Sequence, residues 1–73
     1  MKKIDLNKTL YDLTEEYPEL IEILFELGFL GVGNPATRNT HGKIMTIPKG
    51  CEMLGMNLAD VVNALKEKGY DPQ

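Results

Sequence analysis

Cysteine occurs once in the 73 residues, at Cys51, and histidine once, at His41. A lone thiol excludes an internal disulfide, and it excludes any zinc or iron–sulfur site built from several thiolates of one chain. That usage points to a reducing, cytoplasmic setting. Long apolar runs are also missing. No segment approaches the roughly 18 apolar residues of a membrane span, and the N-terminal MKKIDLNKTL has lysines without an apolar stretch of signal-peptide length. The chain therefore reads as soluble, with no membrane partner. Positive charge is in short supply too: eight Lys and Arg stand against eleven Asp and Glu, for a net charge of -3, which argues against a nucleic-acid binder.

Residues 1–73 make one domain, with no room for a second core. Below about 70 to 80 residues a core usually needs a staple, a metal or a partner. With disulfides excluded and no cofactor or metal expected, the remaining support is a homo-oligomer, expected as a homodimer, or a partner protein or domain.

The charges that are present are segregated. From Asp12 to Glu26 there are six acids and no base, whereas Arg38, His41, Lys43 and Lys49 share a stretch without an acid. The domain is expected to have an acidic and a basic side.

Periodicity and capping signals divide the chain into about five short helices, an all-α bundle in which no strand is needed. Leu10, Leu13 and Tyr17 are spaced for one helical face behind a Thr9 N-cap, and Pro18 ends that helix and starts the next. In PELIEILFELGF only Glu19, Glu22 and Glu26 interrupt the apolar residues, which predicts a central helix with those three acids on its solvated face. Gly28 is placed as its left-handed C′ residue, with Phe29 returning onto Leu24. Asn34 before Pro35 predicts a third helix, closed by Gly42, and Thr46 or Ile47 before Pro48 predicts a fourth, closing at Gly55. Gly50 inside the fourth costs about 1 kcal/mol relative to alanine, so its presence predicts close packing against a neighbour. Asn57 and Gly69 bracket the last helix, where Leu58, Val61, Val62 and Leu65 follow the i, i+3, i+4, i+7 rule.

The segment GFLGVGNPATRNTHGKIMTIPKG, residues 28–50, concentrates five of the seven glycines and the only histidine. GVGNPA formally fits G-x-G-x-x-A, but it follows a helix where a dinucleotide fold needs a strand, and THGK lacks the earlier glycine of a phosphate loop. His41, Cys51, Met45, Met53 and Met56 form a collection of soft donors, read here as core packing because methionine and buried cysteine are ordinary core fillers. A His41–Cys51 nucleophile–base pair lacks an orienting group and an oxyanion site, so no enzyme is expected. The basic residues bracket two helix starts, whose free N–H groups favour anions.

TLYDLTEEYPELIEILFELGF, NPATRNTHGKIMTIPKG and the final LKEKGY together resemble a small all-helical domain-of-unknown-function family related to the N-terminal domain of ScdA-type iron–sulfur-cluster repair proteins. The resemblance covers nearly the whole chain and implies an all-helical fold that stands alone or precedes hemerythrin-like or PAS sensor domains, with one cysteine-bearing branch held to be redox-active. This chain departs from that branch after the LGF turn, where it reads Leu30, Gly31, Val32, Gly33 and Asn34; no redox cysteine carries over. The resulting expectation is a non-catalytic interaction or regulatory module, accessory to iron, nitrosative-stress or sensor proteins. Its working surface is expected at Leu30, Val32, Asn34, Pro35, Arg38, Asn39, His41, Lys43 and Lys49. The alternative is a small ligand or cofactor binder, with an anion or haem near His41.

Overall fold

A computed structural model describes all residues 1–73. Five α-helices, α1 (Leu10–Glu16), α2 (Leu20–Leu27), α3 (Pro35–Thr40), α4 (Ile47–Leu54) and α5 (Leu58–Glu67), pack around one small core, with 3-10 turns at Leu30–Gly33 and His41–Lys43. Caps set their boundaries. The Thr9 hydroxyl accepts from the Asp12 amide, Asn34 Oδ1 from the Ala36 and Thr37 amides, the Thr46 hydroxyl from the Lys49 amide, and Asn57 Oδ1 from the Ala59 amide. Each cap satisfies amides that the first helical turn leaves without a partner.

The helix ends follow the same logic at Gly28 and Gly55, whose φ values of 122° and 69° lie where a side chain is strained. At α2 the Phe29 amide donates to Leu24 O at 2.9 Å and the Gly28 amide to Phe25 O at 3.1 Å, the bond pair of a Schellman motif. Met56 and Gly55 close α4 with the equivalent bonds to Cys51 and Glu52. Gly42 behaves differently from expectation. It has no positive φ and caps nothing; it is buried in a 3-10 turn that packs against Tyr11, and α3 ends one residue earlier than read, at Thr40.

The all-α bundle of about five short helices is what forms, with two short strands added at the chain ends where no strand was expected. β1 (Lys2–Ile4) and β2 (Tyr70–Pro72) pair in parallel, Lys2 opposite Tyr70 and Ile4 opposite Pro72. The whole helical body is the crossover between them. A single antiparallel bridge, Thr9 with Thr46, pins the caps of α1 and α4 side by side, and the Leu10 amide donates to Met45 O at 2.8 Å.

The core runs from Ile4 through Leu13, Leu20, Leu24, Ile47 and Leu65 to Tyr70, all essentially without solvent contact. Helix α2 is less central than its composition predicts: Leu20 and Leu24 are buried, but Phe25 is 45% exposed. Its Glu19 is no free surface acid either. The carboxylate accepts from Lys2 Nζ at 2.7 Å and from Tyr70 Oη at 2.8 Å, joining both chain ends to the start of α2. Tyr17 and Tyr70 meet edge to face beside it, with centroids 5.8 Å apart.

The Lys2 ammonium, foremost, followed by a backbone bond and the Tyr70 hydroxyl, holds the Glu19 carboxyl down at about 2 from an ordinary 4.5. Burial, then the bond to Glu19, pushes Tyr70 up to about 12 from 10.0. A depressed carboxylate contributes fully above its unfolded pKa, so the Glu19 contribution is complete above about 4.5 and drains away as pH falls toward about 2. Tyr70 acts at the other end, subtracting stability as pH rises from 10.0 through about 12, because the unfolded chain releases that proton first. Urea unfolding across the acid range should therefore show a shallower pH dependence in Glu19→Gln than in the parent. Superimposable pH slopes would mean that Glu19 is not held as described.

Candidate functional site

The connector between α2 and α4 builds one cleft. The Schellman turn after Leu27 sends Phe29 inward, and the 3-10 turn Leu30–Gly33 then crosses in front of α3. Phe29 meets α4 at Gly50, where a Cβ would lie 2.5 Å from Cε1 and 3.1 Å from Cδ1 of the ring. No real carbon pair approaches so closely, so glycine is what lets the ring and α4 meet; the sequence expectation for Gly50 holds. Beside this contact opens a cleft of about 250 Å3, lined by Phe29, Leu30, Met45, Met53 and Leu54, with Arg38 and His41 also on its wall.

Its apolar rim is exposed: Leu30 keeps 64% of its surface in solvent, Met53 74% and Leu54 55%. Side chains of this kind scattered singly are normal; here three of them border one concavity. Met53 thus corrects the packing reading given to the sulfur-bearing residues. Cys51 is buried and Met45 and Met56 pack against the core, but Met53 does not.

The nine residues expected to form the working surface separate into two groups. Leu30, Val32, Arg38 and His41 line the cleft. Val32 contributes from beneath, because it is buried in the core and offers little surface of its own. Asn34, Pro35, Asn39, Lys43 and Lys49 lie outside the lining: Asn34 is occupied in capping α3, Pro35 forms its first turn, Asn39 is exposed on it, Lys43 stands 4.9 Å over the Tyr11 ring, and Lys49 lies in the first turn of α4.

The sequence reading did not place Phe29, Met45, Met53 and Leu54 at the cleft that they line. Part of the signal was available, since Gly50, Met53 and Leu54 are spaced i, i+3, i+4 and share one face of α4.

Chemically the cleft offers apolar contact, the Arg38 cation and the His41 imidazole. His41 is exposed and Cys51 is buried, and no hydrogen bond joins them; burial also pushes the Cys51 thiol up, away from the reactive thiolate. No group of three or more His, Cys, Asp or Glu side chains is clustered for a metal ion, and no helix is long and apolar enough to cross a membrane.

Fold and cleft together describe a small helical bundle in which a glycine-rich connector supplies a mainly apolar concavity. The profile of a domain of unknown function, DUF1858, matches residues 4–62, and the chain belongs to that family. The crystal structure of the conserved domain protein from Streptococcus pneumoniae TIGR4 is similar over all of this chain and 92% of that one, with a TM-score of 0.94 and 32% identity. No curated protein matches the chain.

The Phe29–Gly50 contact yields a direct expectation. Gly50→Ala overpacks the core, at about 1–3 kcal/mol, while the helix propensity of alanine returns about 1 kcal/mol. A net destabilisation of up to about 2 kcal/mol should appear as a lower denaturation midpoint, with Phe29 ring resonances displaced. A stabilised variant with an unmoved ring would show that the contact is looser than described.

Proposed function

We propose that this domain is a non-catalytic interaction or regulatory module whose cleft, framed by Leu30, Met53 and Leu54, docks a partner. The observation that carries the reading is the convergence of these three exposed apolar side chains on one concavity whose one charged lining residue, Arg38, is basic. Such a surface gains on being covered, at about 25 cal/mol for each Å2 of apolar area removed from water. The narrower kinship with ScdA-type repair proteins is carried by the LGF, NPATRNTHG and TIPKG segments, and it suggests partners among iron, nitrosative-stress or sensor proteins.

A second reading, a small anion or haem bound beside His41, has the basic wall in its favour. The cleft volume of about 250 Å3 counts against the haem, since pockets for ligands of that size run from about 300 to 1,000 Å3. A haem absorbance band in the purified protein, lost in His41→Ala, would establish that reading instead.

A photo-crosslinking amino acid placed at Leu54 should give discrete protein adducts in cells, and one placed at Asn63 on α5, outside the cleft, should give none. Met53→Glu should abolish the Leu54 adducts while leaving helical circular dichroism unchanged. Equal labelling from both positions, or adducts indifferent to Met53→Glu, would contradict the docking role of the cleft.

A further inference from the structure

The charge pattern of the cleft goes one step past the interaction reading, on which it rests. We infer that the partner is an acidic amphipathic peptide segment: an apolar side chain enters against Phe29, Leu30 and Leu54, and a neighbouring carboxylate meets Arg38 and His41.

Arg38 is the main ground. Arg38 is half-buried as a residue, yet its one side-chain hydrogen bond runs from Nη1 to Thr14 Oγ1 at 3.5 Å, longer than a good N–H···O bond. The ion pair of this chain is made elsewhere, between Lys2 and Glu19. A planar fork suited to bidentate carboxylate contact therefore stands without a carboxylate. No acid occurs between Leu27 and Cys51 and none lines the cleft, and the acids of the neighbouring α1, Asp12 and Glu15, make no ion pair with Arg38.

Size fits a side chain. An apolar cavity of about 150 Å3 accommodates benzene, so about 250 Å3 takes one aromatic or branched aliphatic group with its tether.

Rival occupants fare worse on the same facts. A second copy docked through this same face would bring another Arg38 and no acid from its own cleft lining, so it offers the guanidinium no carboxylate. A head-to-tail copy offering the acidic face of α1 and α2 would leave an unfilled cleft at the end of every chain and grow into rings or filaments. An anionic membrane would match the charge, but a flat bilayer does not fill a concavity, and the net charge of -3 opposes adsorption.

The probe is a displayed library of random peptides, selected on the folded protein. Enriched peptides should carry a large apolar residue with Asp or Glu within one helical turn. Arg38→Met, which keeps the aliphatic wall, should weaken their binding about ten- to a hundredfold, as loss of a charge-assisted bond does, and Arg38→Lys should weaken it less. Enrichment of neutral or basic peptides, or affinity unmoved by Arg38→Met, would overturn the acidic partner. The docking reading would survive that result if Met53→Glu still abolished binding; if Met53→Glu had no effect, both would fall. No enrichment at all, or binding confined to vesicles containing phosphatidylserine, would also overturn the proposal.

Discussion

The ring of Phe29 lies so close to the backbone of Gly50 that even a methyl group cannot stand between them, and much of the fold is arranged around that approach. Phe29 reaches its place because α2 ends in a Schellman turn at a left-handed Gly28, which reverses the chain and turns the next side chain inward. Helix α4 reaches it because Thr46 caps its start beside the cap of α1. Once the ring is seated, Val32 drops into the core behind it and Leu30 is left outside. The cleft is thus a by-product of core packing, with walls held by the same contact that joins α2 to α4.

A second knot at the chain ends balances this one. Lys2, Glu19, Tyr17 and Tyr70 gather where β1, β2 and the start of α2 meet, and the two tyrosine rings also face the Lys2 ammonium at 5.7 and 5.5 Å. An exposed ion pair alone is worth little, so the contribution of this knot comes from the buried Tyr70 ring and the strand bonds it shares. The chain's one ion pair is thereby spent on closure of the termini, and Arg38 is left without a carboxylate at the cleft.

Much of the helical layout was legible in the sequence because caps are local. Thr9, Asn34, Thr46 and Asn57 each act within three residues of themselves, and Gly28 and Gly55 mark reversals that few other residues adopt. The strands were not legible. Three residues give no alternation to read, and Lys2 finds Tyr70 only after the helical body has folded between them. Gly42 misled because a glycine after a helix resembles a cap, whereas here it lies buried in a 3-10 turn with no positive φ, and a Cβ would meet Arg38 and Tyr11 only at ordinary contact distance. At the cleft, the sequence indicated the connector that lines it, with its two basic residues Arg38 and His41, and the need for a close neighbour at Gly50. It did not show that Met53 and Leu54 would face outward around the same cleft, because composition cannot separate an apolar residue that fills a core from one that awaits a partner.

The contact between Phe29 and Gly50 is best tested by a double-mutant cycle joining Phe29→Ala and Gly50→Ala. If the ring is what forbids a Cβ, Gly50→Ala should cease to destabilise once the ring is gone, and become mildly stabilising through helix propensity. The coupling free energy should then exceed the roughly 0.5 kcal/mol within which independent sites add. Strictly additive effects would show that Phe29 and Gly50 act separately, and the account of how the cleft is held would fail.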